Sequence, residues 1–319
     1  MSERGYGAEW RDDVAVLSDA AGGVEVHVCP AFGNTILRFR QRIRGEMVDL
    51  LAPVEARAGF RGGSPTLFPT PNRVRNARYT FGGRTAKMVA NDGEHRLHGL
   101  VFDQPWTVDE FGADDAGTWL WARYTLDSPA YPWPCVLQMG LALTGGTLYQ
   151  AYEVHNTGNT PMPFGVGAHP WFVASLGGAR AETRVRVPGR AMWELDPEQL
   201  PTGRLLPVAG THFDLRAGPP LGANTYDHVY TNLIRMSDKG SVATIQWGDV
   251  TMVVGASPPF REWVVYAPAD RPVVCLEPYT CTTDAVNLEA RGLDAGLKVL
   301  KPGATWEGRL SLHVEHHAE

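Results

Sequence analysis

Cysteine is scarce in this chain. Its 319 residues include only Cys29, Cys135, Cys275 and Cys281, and no two of them form a C-x-x-C pair. Small domains held together by disulfides carry more cysteines at closer spacing, and C-x-x-C pairs are typical of metal and redox sites. We therefore expect four reduced thiols, most of them buried.

Long apolar runs and basic stretches are also absent. No run approaches the ~18 residues of a membrane span, and the start, MSERGYGAEWRDDVAV, lacks the basic, apolar and small-residue order of a signal peptide. Lys and Arg number 29 against 35 Asp and Glu, and no segment gathers them into a stripe that matches a phosphate backbone. We expect a soluble cytoplasmic protein, a monomer or homodimer, without nucleic acid or membrane as a partner.

Helical periodicity is weak throughout. No window of a dozen residues has an apolar stripe of period 3.6, and the best short helical candidate is Asp196 to Leu200, with a proline at its second position. Alternation of apolar and polar residues, rich in β-branched and aromatic types, instead predicts strands. The predicted strands are Val24–Cys29, Trp119–Leu126, Val136–Leu143, Leu148–His155, Ser241–Trp247, Thr251–Gly255, Trp263–Tyr266, Val273–Glu277 and Leu310–Val314.

Turn residues are plentiful and separate these segments. The chain has 35 glycines and 24 prolines, and clusters such as Thr144-Gly145-Gly146 fall between strands at hairpin spacing. This pattern predicts an all-β fold, a large antiparallel β-sandwich with little helix. No repeat, linker or charge block marks a boundary, so we expect one domain over residues 1–319.

The first candidate site segment begins with Asn72 and Arg73, followed later by His98. An amide and a guanidinium entering a strand offer donors that suit sugar hydroxyls or carboxylates, although a surface ion-pair cluster has the same composition. His95 and His98 have H-x-x-H spacing, but the adjacent glycines disfavour a helix and no third ligand is near in sequence. We expect no metal site.

The second candidate segment is Gly165 to Phe172. Two glycines before His169 allow a close backbone approach or a positive φ, and Pro170 favours an extended conformation at His169. The sequence therefore predicts an imidazole held at a strand end, although a lone histidine is also common as a hydrogen-bonded core residue.

The third candidate segment is Val273 to Thr280. An apolar strand leads into Glu277, and Pro278 is expected to end the strand there. A carboxylate partly removed from water has a raised pKa, as a general base requires. A strand-end glutamate that faces solvent is the competing interpretation.

Taken together and in order, these motifs resemble the aldose 1-epimerase (galactose mutarotase) family. The resemblance runs from about residue 24 to 314. It is carried by N-R-V and R-Y-x-F within Asn72 to Phe81, L-H-G at Leu97 to Gly99, Trp106, G-x-x-x-H-P-W-F at Gly165 to Phe172, Asp227, and E-P-x-x-x-x-x-D-A at Glu277 to Ala285. Trp171 departs from the family, which more often has Tyr or Phe there.

The resemblance implies a β-supersandwich that interconverts the α and β anomers of a free aldose. It places the general base on Glu277 and the general acid on His169. The residues implied to hold the sugar are Asn72, Arg73, His98 and Asp227, and an aromatic ring such as that of Trp171 suits the apolar face of a sugar.

Anomer exchange needs one proton to leave the C1 hydroxyl and another to reach the ring oxygen. We expect Glu277 and His169 on opposite sides of the ring, about a pyranose width apart, with His169 protonated at the start because carboxylates lie nearby. Two positioned proton transfers require no metal or organic cofactor.

Three other activities fit parts of the sequence. A glycoside hydrolase would need two carboxylates, and a non-catalytic sugar-binding protein of the same fold would need neither His169 nor Glu277. A hexose-6-phosphate 1-epimerase would gather arginines at the far end of the sugar, for which Arg73, Arg75, Arg78 and Arg96 are candidates. Strand alternation turns some of these arginines outward, so we favour a free sugar.

Overall fold

The computed structural model describes residues 5–54, 61–236 and 240–317. The first four residues of the chain, on which part of the signal-peptide expectation rests, lie outside this range. Within these residues, no helix has the length and apolar character needed to cross a membrane.

The first five strands form an antiparallel sheet in chain order. They are β1 (Tyr6–Arg11), β2 (Val14–Asp19), β3 (Val24–Cys29), β4 (Thr35–Ile43) and β5 (Glu46–Asp49). Strand β3 has the predicted bounds, and its buried apolar side chains alternate with the half-buried Glu25 and His27.

Five short strands follow and carry the first part of the candidate site. They are β6 (Thr66–Leu67), β7 (Arg73–Val74), β8 (Arg78–Phe81), β9 (Arg84–Lys87) and β10 (Arg96–Leu97). Strand β7 pairs with β10 and β8 pairs with β9, both antiparallel. The pairing of β7 with β10 brings the Asn72-Arg73 segment next to the loop that contains His98.

Most of the remaining strands belong to two large sheets. In chain order they are β11 (Thr107–Ala113), β12 (Thr118–Ser128), β13 (Tyr131–Thr144), β14 (Thr147–Asn156), β15 (Met162–Phe164), β16 (Gly167–Ala168), β17 (Trp171–Val173), β18 (Arg184–Arg186), β19 (Gly189–Leu195), β20 (Pro201–Pro207), β21 (Tyr226–Leu233), β22 (Ser241–Trp247), β23 (Val250–Ala256), β24 (Glu262–Ala267), β25 (Val273–Tyr279), β26 (Lys298–Leu300) and β27 (Thr305–His316).

The first large sheet has the order β11-β12-β13-β14-β27-β23-β22-β18, and the second has the order β20-β19-β21-β24-β25-β16-β6, with β17 also pairing with β25. Strands β15 and β26 form a separate antiparallel pair. All nine predicted strand segments lie in strands of the structure, so the prediction of a nearly all-β antiparallel fold is confirmed.

Helix is confined to short pieces of the described chain: α1 (Ala285–Glu289) and two 3₁₀ turns, Arg75–Ala77 and Arg180–Glu182. The helical candidate Asp196 to Leu200 is wrong, because this segment is the turn between β19 and β20. The Asp196 carboxylate accepts hydrogen bonds from the backbone N–H groups of Glu198 and Leu200, which closes a turn in place of a helix.

The candidate site lies on the face of the second large sheet that is opposite the main hydrophobic core. One cluster of buried apolar side chains extends from Ala15 to Leu312 and has members in the five-stranded sheet and both large sheets. On β24 and β25, Trp263 and Leu276 belong to this cluster, whereas Val264 belongs to a smaller cluster on the opposite face. That opposite face carries Glu277.

The four cysteines are buried, as expected for most of them. The predicted end of β25 at Glu277 is wrong, because the strand continues to Tyr279. Pro278 pairs with Trp263 of β24 on one side, and it is tolerated because the other side of β25 is interrupted there. On that side Cys275 pairs with β17 and Tyr279 pairs with β16, with no partner between them among the described residues.

Candidate active site

The register of three strands brings two predicted residues to the same sheet face. Asp227 on β21 lies opposite Tyr266 on β24, and Val264 on β24 lies opposite Glu277 on β25. Side chains two residues apart on a strand share a face, as do residues opposite each other in a pair. Asp227, Tyr266 and Glu277 therefore project from one side of the sheet.

His169 lies in the short connection between β16 and β17. Its backbone N–H donates to the Pro65 carbonyl at 3.1 Å, and its ring stacks on Trp171 with a centroid distance of 4.8 Å and an interplanar angle of 4°. The edge of His98 contacts the same ring, with the centroids 5.0 Å apart. These contacts hold the imidazole in one orientation at a strand end, as the sequence predicted.

The two glycines before His169 serve packing and not a positive φ. A Cβ on Gly165 would collide with Cys281 and Pro71, and a Cβ on Gly167 would lie 2.5 Å from Cδ1 of Tyr279. Neither glycine has a left-handed backbone. The close approach expected in this segment is therefore toward protein side chains.

The Asn72 and His98 loops are tied together with unusual backbone geometry. Both residues have positive φ, 60° for Asn72 and 65° for His98, a region in which non-glycine residues are uncommon. The His98 N–H donates to the Asn72 carbonyl at 2.9 Å, and the Asn72 side-chain oxygen accepts from the Arg73 N–H at 2.8 Å. Arg73 Nε donates to Asp92 at 2.7 Å, which fixes the guanidinium.

One cavity of about 220 Å³ collects all seven residues proposed from the sequence. They are Asn72, Arg73, His98, His169, Trp171, Asp227 and Glu277. Sequence reasoning missed six further lining residues, which are Arg61, Asp92, Leu97, Val264, Tyr266 and Arg271. The motif order gave no signal for these six, except that Leu97 belongs to the L-H-G motif.

A buried polar contact in the cavity joins His169 and Glu277. Nε2 of His169 lies 3.5 Å from Oε1 of Glu277, and both residues are buried. The other carboxylate oxygen, Oε2, accepts a hydrogen bond from the Tyr279 hydroxyl. We predicted a separation of about the width of a pyranose ring, and the observed separation is smaller. The two groups therefore cannot enclose a sugar ring from opposite sides.

Burial dominates the electrostatics of this pair. It raises the pKa of Glu277 well above its usual value, an effect that Asp227 reinforces and that the Tyr279 hydrogen bond and Arg73 oppose. Burial lowers the pKa of His169 to about 3. The expectation that nearby carboxylates keep His169 protonated is therefore wrong, because desolvation of the imidazolium outweighs their attraction.

Burial also shifts two other lining groups. It raises the pKa of Asp227, with Arg73 acting in the opposite direction. It lowers the pKa of His98 well below the usual range, and the charges of His169, Arg73 and Arg96 add to this. His98 is therefore neutral at physiological pH, and a neutral imidazole can both donate and accept hydrogen bonds to hydroxyls.

A metal has one candidate ligand group in the part of the chain that the structure describes. Ligand atoms of His169, Cys275 and Glu277 lie within 4.8 Å of one another. Burial and the Glu277 charge raise the pKa of the Cys275 thiol well above its usual value, which disfavours the thiolate that a metal needs. The H-x-x-H pair does not converge, because His95 Nδ1 accepts from the Asn76 N–H whereas His98 faces the cavity.

Comparison with known sequences assigns the chain to a family. The model for aldose 1-epimerase matches residues 15–313 of the chain. Galactose mutarotase of Sus scrofa is 30% identical over 172 residues, covering 49% of this chain and 48% of that protein. The chain spans about half the length of the galactose mutarotases that it matches. An uncharacterized Escherichia coli protein, YphB, is 25% identical over 258 residues, 78% of this chain and 82% of its own.

Solved structures share the whole fold. A galactose mutarotase-like protein of Clostridium acetobutylicum has a TM-score of 0.85 at 22% identity, with 98% of both chains covered. Galactose 1-epimerase of Lactobacillus acidophilus has a TM-score of 0.77 at 17% identity, with 98% of this chain and 99% of that chain covered. These likenesses establish a galactose mutarotase-like fold. Because the family model covers most of its length, the chain belongs to the aldose 1-epimerase family.

Proposed function

We propose that this protein is an aldose 1-epimerase that interconverts the α and β anomers of a free aldose. The observation that carries the proposal is the 3.5 Å approach of His169 Nε2 to Glu277 Oε1 inside a cavity lined by polar groups. Two groups that exchange protons, placed this close together, can both reach the oxygens bonded to C1 of a sugar.

The reaction requires the two oxygens on C1 to meet different partners. Glu277 takes the proton of the C1 hydroxyl through Oε1, and His169 gives a proton to the ring oxygen. The bond between C1 and the ring oxygen breaks, its electron pair stays on that oxygen, and C1 becomes an aldehyde. Since both oxygens are bonded to C1, one edge of the sugar facing the pair is sufficient.

Rotation about the C1–C2 bond then presents the other face of the aldehyde. The former ring oxygen attacks C1 as His169 takes back its proton, and Glu277 returns its own proton to the C1 oxygen. The pair holds one proton throughout, on His169 before ring opening and on Glu277 after it. Each positioned proton transfer contributes about 10²- to 10⁴-fold to the rate.

The pKa shifts of His169 and Glu277 fit the second half of this cycle. A raised pKa for Glu277 and a lowered one for His169 put the shared proton on Glu277, which is the state that ring opening leaves behind. Before ring opening, sugar hydroxyls that donate to Glu277 stabilise its carboxylate, and the proton moves to His169.

The remaining lining residues suit the sugar hydroxyls. Arg73, fixed by Asp92, and Asn72 supply donors, whereas Asp227 and the neutral His98 supply acceptors. Trp171 adds an aromatic ring at the wall of the cavity. Polar and charged side chains thus dominate the lining, which suits a ligand rich in hydroxyl groups.

The competing activities lose support from the geometry. A glycoside hydrolase needs paired carboxyl groups, whereas the proton-exchanging partner of Glu277 is the imidazole of His169 at 3.5 Å. Of the arginines considered for a phosphate, only Arg73 lines the cavity. Arg75 pairs with Asp196 outside it, and Arg96 donates to the Gly99 carbonyl.

The experiment that tests the proposal is polarimetry on freshly dissolved α-aldoses. A panel of glucose, galactose, xylose and arabinose, each with and without the protein, would show whether the approach to anomeric equilibrium accelerates. We expect acceleration proportional to protein concentration for at least one sugar. Sugar binding by calorimetry without any acceleration would favour the non-catalytic binding protein.

A further inference from the structure

The outer face of the first large sheet carries an uncharged row of residues. Leu120, Leu141 and Leu148 point into the main core from β12, β13 and β14, so the residues next to them point outward. The strand registers align one outward residue from each of seven strands, β11 to β22, and in that order they are Gly112, Trp119, Ala142, Tyr149, Ser311, Gly255 and Val242. None of these residues is charged and none is buried. The solvent side of an antiparallel sheet ordinarily carries polar and charged residues, so this row is unusual.

Two indole rings lie flat on this face of the sheet. A Cβ atom on Gly140 would lie 2.6 Å from each of three ring atoms of Trp121, so the ring covers this glycine with its face. A Cβ atom on Gly112 would lie 3.0 Å from the ring of Trp119. The two glycines are the cross-strand partners of the two tryptophans. Each partly exposed ring therefore packs one face on the sheet and turns the other outward.

Tyr149 adds a third ring to this surface. Its side chain is 49% exposed, and it lies two strands from Trp119 with the exposed Ala142 between them. The backbones of Trp119 and Tyr149 are therefore about 10 Å apart. Trp119 leans over β11 and Trp121 over β13, so the rings together extend from β11 to β14. We refer to Trp119, Trp121 and Tyr149 as the aromatic platform.

The charge and the area of this surface decide what can cover it. A nucleic acid needs arginine or lysine along its path, and the uncharged row has neither. A stable dimer buries about 800 Å² on each partner, whereas the row together with Trp121, Gly140 and Ala151 beside it covers about 300 Å² of sheet. Glu110 and Arg309 flank those three residues, which keeps the uncharged surface narrow. An extended, uncharged chain fits a row that is about 29 Å long.

A chain of sugars has the chemistry that matches this surface. The flat face of an aromatic ring packs against the apolar C–H face of a pyranose, while hydroxyl side chains bond to its hydroxyl groups. Ser311 lies in the row itself. Thr147 and Thr244 lie two residues from Tyr149 and Val242 on their strands, so they share the same face and are partly exposed.

We propose that the aromatic platform binds a neutral, unbranched glycan chain that lies across the strands of the first large sheet. The ligand class is an oligosaccharide or polysaccharide of uncharged pyranoses. The platform belongs to the first large sheet, whereas Glu277 and Asp227 of the cavity belong to the second. The proposal therefore does not depend on the proposed epimerase function.

Calorimetry with reduced cellohexaose, maltohexaose and xylohexaose tests the proposal. The last sugar of each reduced chain is an alditol without an anomeric carbon, so none of the three is a substrate for anomer exchange. We expect at least one of them to bind, and Tyr149→Ala to weaken that binding by about tenfold or more. Trp119→Ala should have the same effect. Tyr149→Phe should keep most of the binding, because it retains the ring.

Trp10→Ala is the matched control. Trp10 is 46% exposed and contacts Phe111, which lies opposite the core residue Leu120 and so points away from the platform. This variant should leave hexasaccharide binding unchanged, and Tyr149→Ala should leave the rate of anomer exchange unchanged.

Three results would overturn the glycan site. They are no binding of any of the three hexasaccharides, equal binding by the natural chain and Tyr149→Ala, and a dimer in sedimentation that Tyr149→Ala dissociates, since a second copy would then cover the platform. A natural chain that binds a hexasaccharide through Tyr149 but does not accelerate anomer exchange would instead leave the glycan site standing and count against the epimerase.

Discussion

The hydroxyl of Tyr279 donates a hydrogen bond to Oε2 of Glu277, two residues earlier on the same strand. This contact leaves Oε1 as the carboxylate oxygen that meets His169 at 3.5 Å. It also opposes the rise in the Glu277 pKa that burial causes. Tyr279 is therefore a positioning residue for the proposed base, since it orients the carboxyl group and stabilises its charged form.

We predict that Tyr279→Phe shifts the pH profile of anomer exchange. Without the phenol the Glu277 pKa rises further, so the acidic limb of kcat/KM against pH moves to higher pH. Tyr230→Phe is the control, because the Tyr230 hydroxyl is buried and has no hydrogen-bond partner among the described residues. An unchanged acidic limb in Tyr279→Phe would contradict this role for Tyr279.

Gly167→Ala should disturb the same contact from the opposite side. A Cβ at this position would lie 2.5 Å from Cδ1 and 2.8 Å from Cε1 of Tyr279, so the ring must move. We expect a loss of about 1–3 kcal/mol in the free energy of unfolding, measured with urea, together with reduced activity. Gly178→Ala should be close to neutral, because its Cβ would meet only the flexible end of Glu182 at 3.3 Å.

Glu277→Gln should fold but lose ~10³-fold or more in anomer exchange, because an amide cannot accept the proton from C1. Glu262→Gln is the matched control, because it makes the same substitution at another buried carboxyl group. Glu262 lies on the same sheet face, is fully buried and has a pKa raised to about 8 by that burial. It accepts from Thr231 and Trp193 and does not line the cavity, so its amide variant should keep most of the activity.

Much of the fold and of the site could be predicted because the signals are local. The alternation of apolar and polar residues predicted nine segments, and all nine lie in strands of the structure. The order of the motifs pointed to seven residues that line one cavity. The protonation of His169 could not be predicted, since desolvation depends on the packing of Trp171 and His98 around it. Arg61 and Arg271 could not be predicted because they lie in connecting segments that only the tertiary structure brings to the cavity.

His169 should also make folding stability sensitive to acid. Its pKa is about 3 in the folded protein against 6.5 for an unperturbed histidine, so below pH 6.5 the unfolded chain binds a proton that the folded chain does not. Stability is therefore lost as the pH falls from 6.5 toward 3. Between pH 7 and pH 5 this loss amounts to about 2 kcal/mol.

Urea unfolding of the natural protein and of His169→Gln at both pH values checks this prediction. The variant lacks the titrating group, so the stability of the natural protein relative to the variant should fall by about 2 kcal/mol on going from pH 7 to pH 5. Parallel pH dependence in the two proteins would mean that His169 is not held neutral by burial.

The most direct test of the proposed pair is exchange NMR of the α and β anomers with four proteins: the natural chain, Glu277→Gln, His169→Gln and the double variant. If His169 and Glu277 pass one proton as a unit, each single variant should lose most of the catalysis, and the double variant should lose little more than the worse of the two. Losses that multiply in the double variant, or a natural chain that exchanges anomers no faster than buffer, would contradict the account.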